Sequence, residues 1–349
     1  MPLGLHTTEL NFETIREIGQ EGKNSKVYLA HDKQLDGEIV VKKIEKNKII
    51  NPAEYYEEAK KLYASSYSNV VKVNYGCSDA EHIYIAMPYY KNGSLKSIAE
   101  SKNLTIREII RYSIQFLSGL HHIHSKGLIH FDVKPDNILI SDSNEALLSD
   151  FGLTKAMNHI GFASPDQFYS KQLPPETFTS SDKTIHFDIY LAGLTIYRLL
   201  NGENFFHNQL LKYTSQDEYI DAVKAGTFPS RADYLSHIPL KLQRIVNKAI
   251  SINIVDRHQT VLELINDLSD VDENLDWRFT QTATSQFWER DNGTQSYKVL
   301  VDLTNPKSIS ILTTKTNNTT AREQRERDHC HNNLTSVNVI SKIKQALKL

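Results

Sequence analysis

The sequence LIHFDVKPDNILI, residues 128–140, places an acid, a lysine and an amide at fixed steps between two apolar flanks. In such a set Asp132 can accept a proton from an alcohol, and Lys134 can neutralise charge on a phosphoryl group in transfer. The amide oxygen of Asn137 can hold a metal ion. The pattern therefore predicts phosphoryl transfer, with Phe131 in its middle as the residue to explain.

A second acidic motif follows at Asp150-Phe151-Gly152, directly after the apolar stretch ALLS. A carboxylate at a strand end, beside a glycine that permits a sharp turn, is a natural magnesium ligand. A D-F-G tripeptide alone is weak evidence because it arises by chance in many chains. In this order and at this spacing the two motifs together are strong evidence, and they predict Asn137 and Asp150 as metal ligands.

The elements that must position these residues fall into successive parts. Residues 12–92 contain the strand patterns KVYLAHD, GEIVVKKI, VVKVNYG and HIYIAMPYY, and PAEYYEEAKKLYAS reads as one helix that starts near Pro52. Long helical patterns follow, first TIREIIRYSIQFLSGLHHIHSKG, which ends at Gly127, and then DIYLAGLTIYRLLNG. Further helices are predicted at about 216–225, 238–251 and 260–269. A small sheet with one helix thus precedes a mainly helical part.

The composition changes again after about residue 270. The segment WRFTQTATSQFWERDNGTQSYKVLVDL predicts strands joined at Asp291-Asn292-Gly293, a strong hairpin signal. The polar stretch KTNNTTAREQRERDHCHNN predicts a charged linker or exposed turn region. The final SVNVISKIKQALKL predicts an amphipathic helix with Val339, Ile340, Ile343 and Leu347 on one face. Packing of that face on its own domain is favoured over contact with an anionic surface.

Composition favours no special class of partner. The chain has 349 residues, a hydrophobic fraction of 40%, a charged fraction of 23% and a formal net charge of −2, so neither nucleic acid nor membrane is expected as a partner. The two cysteines, Cys77 and Cys330, lie far apart, which argues against a disulfide framework and suits a reducing compartment. The N-terminus lacks a leader pattern, and no apolar run reaches the roughly 18 residues of a membrane span. A cytoplasmic protein is predicted.

With these motifs in order, residues 12–270 resemble a protein kinase catalytic domain of the eukaryotic type, and their compactness is similar to that of bacterial members. The resemblance implies an α+β bilobal fold, with a small β-rich N-lobe at about 12–90 and a larger helical C-lobe at about 91–270. Residues 271–349 are then a small C-terminal α/β accessory module, a candidate partner-binding or regulatory region. The resemblance also implies ATP and Mg²⁺ as cofactors and a protein substrate.

The resemblance assigns the nucleotide site residue by residue. Lys42, in GEIVVKKI, matches the strand lysine that grips the α- and β-phosphates, and Glu58 matches its glutamate partner in preference to the neighbouring Glu57. In IAMPYYKNGSL, Met87 matches the gatekeeper, and the backbone of Pro88 and Tyr90 would hydrogen-bond adenine. The apolar residues expected to sandwich adenine are Val27, Val40 and Leu139.

Further matches are structural rather than catalytic. Glu176, in QLPPE, would form a buried ion pair with Arg257, and Asp188 would anchor the catalytic loop from below. A column of four side chains would link the lobes, namely Leu62, Val73, His130 and Phe151. The histidines at 121, 122 and 124 lie at a predicted helix end, where we expect them to cap carbonyls rather than bind metal.

The phosphate loop, IGQEGKNSKVY, departs from the family pattern. It begins at Ile18 and keeps Gly19 and Gly22, but Ser25 stands where the third glycine belongs and the loop is one residue longer than usual. Backbone amides can still cap phosphates in such a loop. We therefore expect weaker or more mobile clamping of the nucleotide.

The other departure is Phe131, at a position where the family usually has an arginine that pairs with a phosphate on the activation loop. Phenylalanine cannot form that pair, so we expect activity that needs no activation-loop phosphate. The candidate modification sites in the activation segment are Thr154, Ser164, Tyr169 and Ser170.

Two alternatives to a protein kinase stay open at this point. Small-molecule phosphotransferases of the aminoglycoside or choline type share the D-x-x-x-x-N element, and a pseudokinase would keep the fold for nucleotide binding or scaffolding. The Lys134-Pro135 pair and the Glu176 motif favour a protein acceptor, and the position of Lys134 two residues after Asp132 favours serine or threonine.

Overall fold

The computed structural model describes residues 11–19, 25–34, 36–48, 67–158, 160–163 and 172–349. Its N-terminal part is a five-stranded antiparallel sheet in the order β1-β2-β3-β5-β4. The strands are β1 (Phe12–Ile18), β2 (Ser25–Asp32), β3 (Gly37–Glu45), β4 (Tyr75–Ser78) and β5 (His82–Pro88). Alternation along β2 and β3 buries Ala30, Ile39 and Val41 on one face, which forms the small core of this lobe.

One predicted strand begins later than its pattern indicated. In VVKVNYG only the end belongs to β4, because the preceding residues turn toward the second lobe: the amide of Val71 donates to Leu148 O at 2.9 Å, and Val70 forms an isolated bridge with Leu148. The predicted helix that carries Glu58 and Leu62 lies outside the described residues, as does Gly22.

The following part is mainly helical. Its helices are α1 (Leu95–Ser101), α2 (Ile106–Ser125), α3 (Ile185–Asn201), α4 (Glu203–Leu210), α5 (Gln216–Ala225), α6 (Leu240–Ala249) and α7 (Val261–Ser269). Helix α2 begins with a complete capping box formed by Thr105 and Glu108, and its apolar face is buried. Helix α3 is buried along almost its whole length, as its continuous apolar sequence predicts.

Two short strand pairs lie beside the helices and frame the motifs of interest. Strand β6 (Leu128–Ile129) pairs with β9 (Lys155–Ala156), and β7 (Ile138–Ile140) pairs with β8 (Ala146–Leu148). The residues 130–137 therefore span β6 to β7, and the Asp-Phe-Gly motif spans β8 to β9. Both predicted catalytic segments are connections held at each end by a strand.

The C-terminal part is a six-stranded antiparallel sheet with one helix. Its strands run in the order β10-β11-β12-β13-β14, and β15 also pairs with β13. They are β10 (Arg278–Gln281), β11 (Ser285–Asp291), β12 (Gln295–Asp302), β13 (Ile309–Asn317), β14 (Glu323–Arg325) and β15 (His331–Leu334), followed by α8 (Ser336–Ala346). Trp277, Trp288 and Val301 pack with Ile343 of α8 in a core of their own. The hairpin predicted at Asp291-Asn292-Gly293 is present between β11 and β12.

Two sequence-based expectations for this part are wrong. The charged stretch predicted as a linker contains β14 and β15, which pair with β13. These are edge strands, and edge strands carry polar and charged side chains, so their composition resembles that of a loop. Ile340, predicted on the apolar face of the last helix, is 50% exposed, whereas Val339 and Ile343 are buried.

The C-terminal sheet packs against the helical lobe. Arg107 at the start of α2 forms a bidentate ion pair with Asp276 at 2.6 and 3.0 Å, and its amide donates to Leu275 O at 2.8 Å. The ring of His237 stacks on Phe279 with the ring centroids 5.1 Å apart. None of the helices in the described ranges combines the length and apolar character that a bilayer crossing requires.

Candidate active site

The loop that carries Asp132 is held from below by the buried carboxylate of Asp188 on α3. This carboxylate accepts from the amides of His130 and Phe131, each at 2.8 Å. Its Oδ2 also lies 2.8 Å from Nε2 of His124. The predicted anchoring role of Asp188 is confirmed.

The role of His124 was not predicted correctly, because its ring contacts Asp188 instead of capping the end of α2. Its side chain is only 7% exposed. Leu117, Leu120 and His124 follow one another at helical spacing, and both leucines are buried. That periodicity was the signal that His124 points inward.

Two polar side chains of the loop converge on one carboxylate oxygen of Asp132. Oδ2 of Asp132 lies 3.0 Å from Nζ of Lys134 and accepts from Nδ2 of Asn137 at 2.7 Å. The same Nδ2 also donates to the backbone oxygen of Asp132 at 2.9 Å. Since the amide nitrogen of Asn137 is engaged in this way, its Oδ1 is the atom suited to a cation.

The electrostatics of Asp132 suit a proton acceptor. Burial raises its pKa, and the negative charge of Asp150 acts in the same direction, while the charge of Lys134 opposes both. The net shift is upward, so the carboxylate binds a proton more readily than an exposed aspartate does.

Asp150 lies at the turn between β8 and β9 with a left-handed backbone, φ +58°. Its Oδ1 forms an ion pair with Nζ of Lys42 and accepts from the Gly152 amide at 3.3 Å. The side chain is 43% accessible, and its enclosure in the cleft acts to raise its pKa. The charge of Lys42 and the hydrogen bonds from Lys42 and the Gly152 amide outweigh this effect and lower the pKa to about 2. The carboxylate is therefore ionised and suited to a divalent cation.

Gly152 leaves room for this ion pair. A Cβ at this position would lie 3.2 Å from Oδ1 of Asp150 and 3.3 Å from Nζ of Lys42, closer than most real Cβ contacts. A side chain here would therefore push against the two charged groups.

His130 connects the two motifs. Its Nδ1 accepts from the Asp132 amide at 3.2 Å, so Nε2 carries the proton that is shared with Ser149 O at 3.0 Å. The ring meets Phe151 edge to face with the centroids 5.2 Å apart. These two rings belong to the predicted column of four side chains. Of the other two members, Val73 is half-buried and Leu62 lies outside the described residues.

Phe131 fills its position by apolar packing. Its side chain is 3% exposed, its φ is +67°, and its ring meets Phe187 of α3 edge to face at 5.2 Å between centroids. Leu173 and Leu191 line the small space beside it. The aromatic side chain thus joins the catalytic loop to α3 and to the end of the activation segment.

The activation segment is described only in part. Thr154, which the sequence offered as a candidate modification site, is only 2% exposed and is therefore not accessible to modification. Ser164, Tyr169 and Ser170 lie outside the described residues. The ion pair that closes the segment is confirmed, because Arg257 donates to both carboxylate oxygens of Glu176 at 2.7 Å and is buried.

The expected nucleotide residues of the first lobe share one face of its sheet. Val27 is paired with Ile18 on one side and with Lys42 on the other, and Val40 is paired with Met87. In a sheet, side chains of directly paired residues, and of residues two apart on one strand, point to the same face. The side chains of these five residues therefore share one face of the sheet. The described partner of Lys42 is Asp150, while its predicted partner, Glu58, lies outside the described residues.

The remaining expected contacts surround this face. Gly19 has φ +78° after β1, and Ser25 begins β2. Pro88 ends β5, and the backbone oxygen of Tyr90 accepts from the Gly93 amide at 3.1 Å. Leu139 in β7 forms a bridge with Ser94, which connects the strand below the cleft to the segment after β5.

Comparison with known proteins gives a consistent result. A family model described as Protein kinase domain matches residues 12–287. A serine/threonine-protein kinase PknD of Protochlamydia amoebophila is 27% identical over 296 residues, which cover 74% of this chain and 29% of that protein. A probable serine/threonine-protein kinase PknB of Lactococcus lactis is 27% identical over 265 residues, which cover 74% of this chain and 41% of that protein. The chain spans less than half the length of these relatives.

Proposed function

Because the chain belongs to the protein kinase domain family, we propose that it transfers the γ-phosphoryl group of ATP to serine or threonine hydroxyls of proteins, itself included. The observation that carries this proposal is the convergence of Lys134 and Asn137 on Oδ2 of Asp132. The ionised Asp150, paired with Lys42, completes the set.

Each of these residues has a separate task. Asp132 orients the acceptor hydroxyl and takes its proton, which its raised pKa favours. Lys134 offsets negative charge on the group in transfer. Oδ1 of Asn137 and the carboxylate of Asp150 would hold Mg²⁺, which when bound neutralises phosphate charge.

Nucleotide binding is proposed for the apolar sheet face and the loops around it. The residues are Ile18, Val27, Val40 and Met87 above the adenine, Leu139 below it, and the backbone of Pro88 and Tyr90 at its edge. Gly19, Gly22 and Ser25 would supply amides to the phosphates. Lys42 would contact the α- and β-phosphates, with Glu58 as a further partner.

The names of the relatives support a protein acceptor over a small alcohol. The buried Glu176–Arg257 pair supports it too, because it anchors the segment beside the catalytic loop. We propose residues 12–270 as the kinase domain and 271–349 as an accessory module with a partner-binding or regulatory role. A cytoplasmic location stays a prediction.

The test is substitution of the proposed machinery. Asp132→Asn, Asp150→Asn and Lys42→Ala should each abolish autophosphorylation, since loss of the base alone removes on the order of 10²–10⁴ in rate. Phosphate incorporation into the chain and into a generic protein acceptor is measured, with a panel of small alcohols alongside and thermal unfolding as the folding control. Undiminished incorporation in any of the three folded variants contradicts the proposal.

A further inference from the structure

Four charged side chains from four different elements meet at the turn that precedes β7. Nζ of Lys96 on α1 lies 2.9 Å from Oδ1 of Asp136, and the guanidinium of Arg198 on α3 lies 3.6 Å from Oδ2 of the same carboxylate. Glu203 on α4 accepts two bonds from Arg198, each at 2.8 Å. Two cations and two anions thus form a balanced network that the proposed chemistry does not use.

Arg198 gives this network a rigid centre. Its side chain is 4% exposed, its guanidinium lies over the ring of Phe206 at 5.3 Å, and the bidentate geometry with Glu203 sets its orientation. Loss of the carboxylates would leave a buried guanidinium without a counter-charge and would strongly destabilise the folded protein. Asp136 is therefore held by a group that cannot readily move.

Asp136 belongs to the turn that directly follows Lys134 and ends at Asn137. This 3₁₀ turn, Pro135–Asn137, is closed by the bond from the Asn137 amide to Lys134 O at 3.0 Å. Lys134 and Asn137 contact Asp132, whereas Asp136 contacts α1 and α3. The turn is thus held by two separate sets of contacts.

We propose that Lys96, Asp136 and Arg198 are positioning residues that hold this turn so that Oδ1 of Asn137 and Nζ of Lys134 stay directed into the active site. The two cations approach different oxygens of Asp136 from different helices, so they restrict both translation and rotation of the turn. Displacements of about 1 Å at reacting groups cost as much as 10²-fold in rate. The inference rests on the proposed kinase activity.

The test is a double-mutant cycle on the partly exposed half of the network. Asp136→Asn, Lys96→Met and the double variant are compared at saturating ATP, and the Mg²⁺ concentration for half-maximal rate is measured together with kcat. We expect this concentration to rise about three- to tenfold and kcat to fall, which is less than the 10–100-fold typical of groups that contact a metal ligand directly. The KM for the protein acceptor should change little. The double variant should have a kcat no lower, and a Mg²⁺ requirement no higher, than Asp136→Asn alone. Lys96→Arg, which keeps the positive charge, should keep the wild-type values of both.

Lys102→Met is the matched control, because Lys102 forms a similar ion pair with Glu108 at 3.1 Å that does not contact the turn. If Asp136→Asn and Lys96→Met behave like this control, the proposal is wrong. It is equally wrong if they lower only thermal stability while the Mg²⁺ dependence is unchanged. A wild-type protein that transfers no phosphate would instead contradict the proposed function. In that case Mg²⁺-dependent ATP binding, followed by thermal shift, tests the positioning role in the same variants, and an unchanged Mg²⁺ requirement overturns it.

Discussion

Asp132 and Asp150 are two carboxylates of one cleft whose pKa values are displaced in opposite directions. Burial raises the pKa of Asp132, whereas at Asp150 the effect of burial is outweighed by Lys42 and the Gly152 amide. When the pKa values of two neighbouring carboxyl groups are shifted in opposite directions, the two groups can take different chemical roles. The acid with the raised pKa can exchange a proton, and the other keeps its charge for a cation.

This difference predicts the acid limb of the pH–rate profile. Asp132 must be ionised to accept a proton, so kcat should fall as the pH decreases through its pKa, which lies above the ordinary 3.8. Asp150, with a pKa of about 2, stays ionised over that range. Because the charge of Lys134 lowers the pKa of Asp132, Lys134→Met should move the limb to higher pH as well as reduce kcat. A limb that stays in place or moves to lower pH in this variant would show that another group controls it.

Phe131 gives a second prediction at this scale. Its buried contact with Phe187 joins the catalytic loop to α3 without any charge, so no phosphate is needed to compensate an arginine there. We expect enzyme treated with a phosphatase to retain the activity of untreated enzyme when both are assayed on a protein acceptor. Mass spectrometry of the treated sample is the control for complete dephosphorylation. An inert dephosphorylated enzyme that regains activity with a single phosphate in the activation segment would refute this expectation.

At the scale of elements, the sequence predicted what local pattern determines. The β-branched residues of GEIVVKKI predicted β3, and the apolar face of TIREIIRYSIQFLSGLHHIHS predicted α2. The edge strands β14 and β15 were missed because strands with little burial lose the apolar alternation. The short helix α4, with the sequence ENFFHNQL, was missed because it buries only two of its side chains.

The same distinction applies to the candidate site. Asp132, Asn137 and Asp150 were predicted from motif spacing, because the chemistry itself requires those residue types at those intervals. Lys42 was predicted from the resemblance to the kinase family. The contacts of His124 with Asp188, and of Asp136 with Arg198, join residues far apart in sequence. They depend on how α3 packs beneath the loop. A local pattern can show that His124 points inward, but it does not show which residue it meets.

The packing of α3 on α6 gives a prediction for this scale. A Cβ at Gly193 would lie 2.6 Å from Cβ of Ala249 and 2.9 Å from Cγ2 of Ile250, so the two helices approach closely only because this residue is glycine. Gly193→Ala should lower the free energy of unfolding by about 1–3 kcal/mol through overpacking, despite the better helix propensity of alanine. Urea unfolding measures it, with Leu262→Ala on the exposed face of α7 as a control expected within about 0.5 kcal/mol of wild type. A Gly193→Ala protein as stable as wild type would mean that the helices separate without cost.

At the scale of the molecule, the C-terminal sheet and the helical lobe share a buried contact. His237, which precedes α6, is 4% exposed, and its ring lies against Phe279 of β10 at 5.1 Å and meets Trp288 of β11 edge to face at 6.3 Å. The nearby Arg107–Asp276 pair is exposed and contributes less than about 1 kcal/mol. The aromatic contact is therefore the larger stabilising element, and we expect the two parts to unfold together.

This contact makes stability depend on pH through one histidine. Burial lowers the pKa of His237 from 6.5 to about 4, so between these values the unfolded chain binds a proton that the folded chain does not. Stability is then greatest above pH 6.5 and falls as the pH decreases toward 4, by about 2–3 kcal/mol from this group alone. His237→Gln removes the titration, so urea unfolding at a series of pH values should give a shallower dependence over this range than wild type. His121→Gln, at an exposed position on α2, should keep the wild-type dependence. If His237→Gln and wild type lose stability in parallel as the pH falls, the histidine is solvated in the folded protein and the sheet does not cover it.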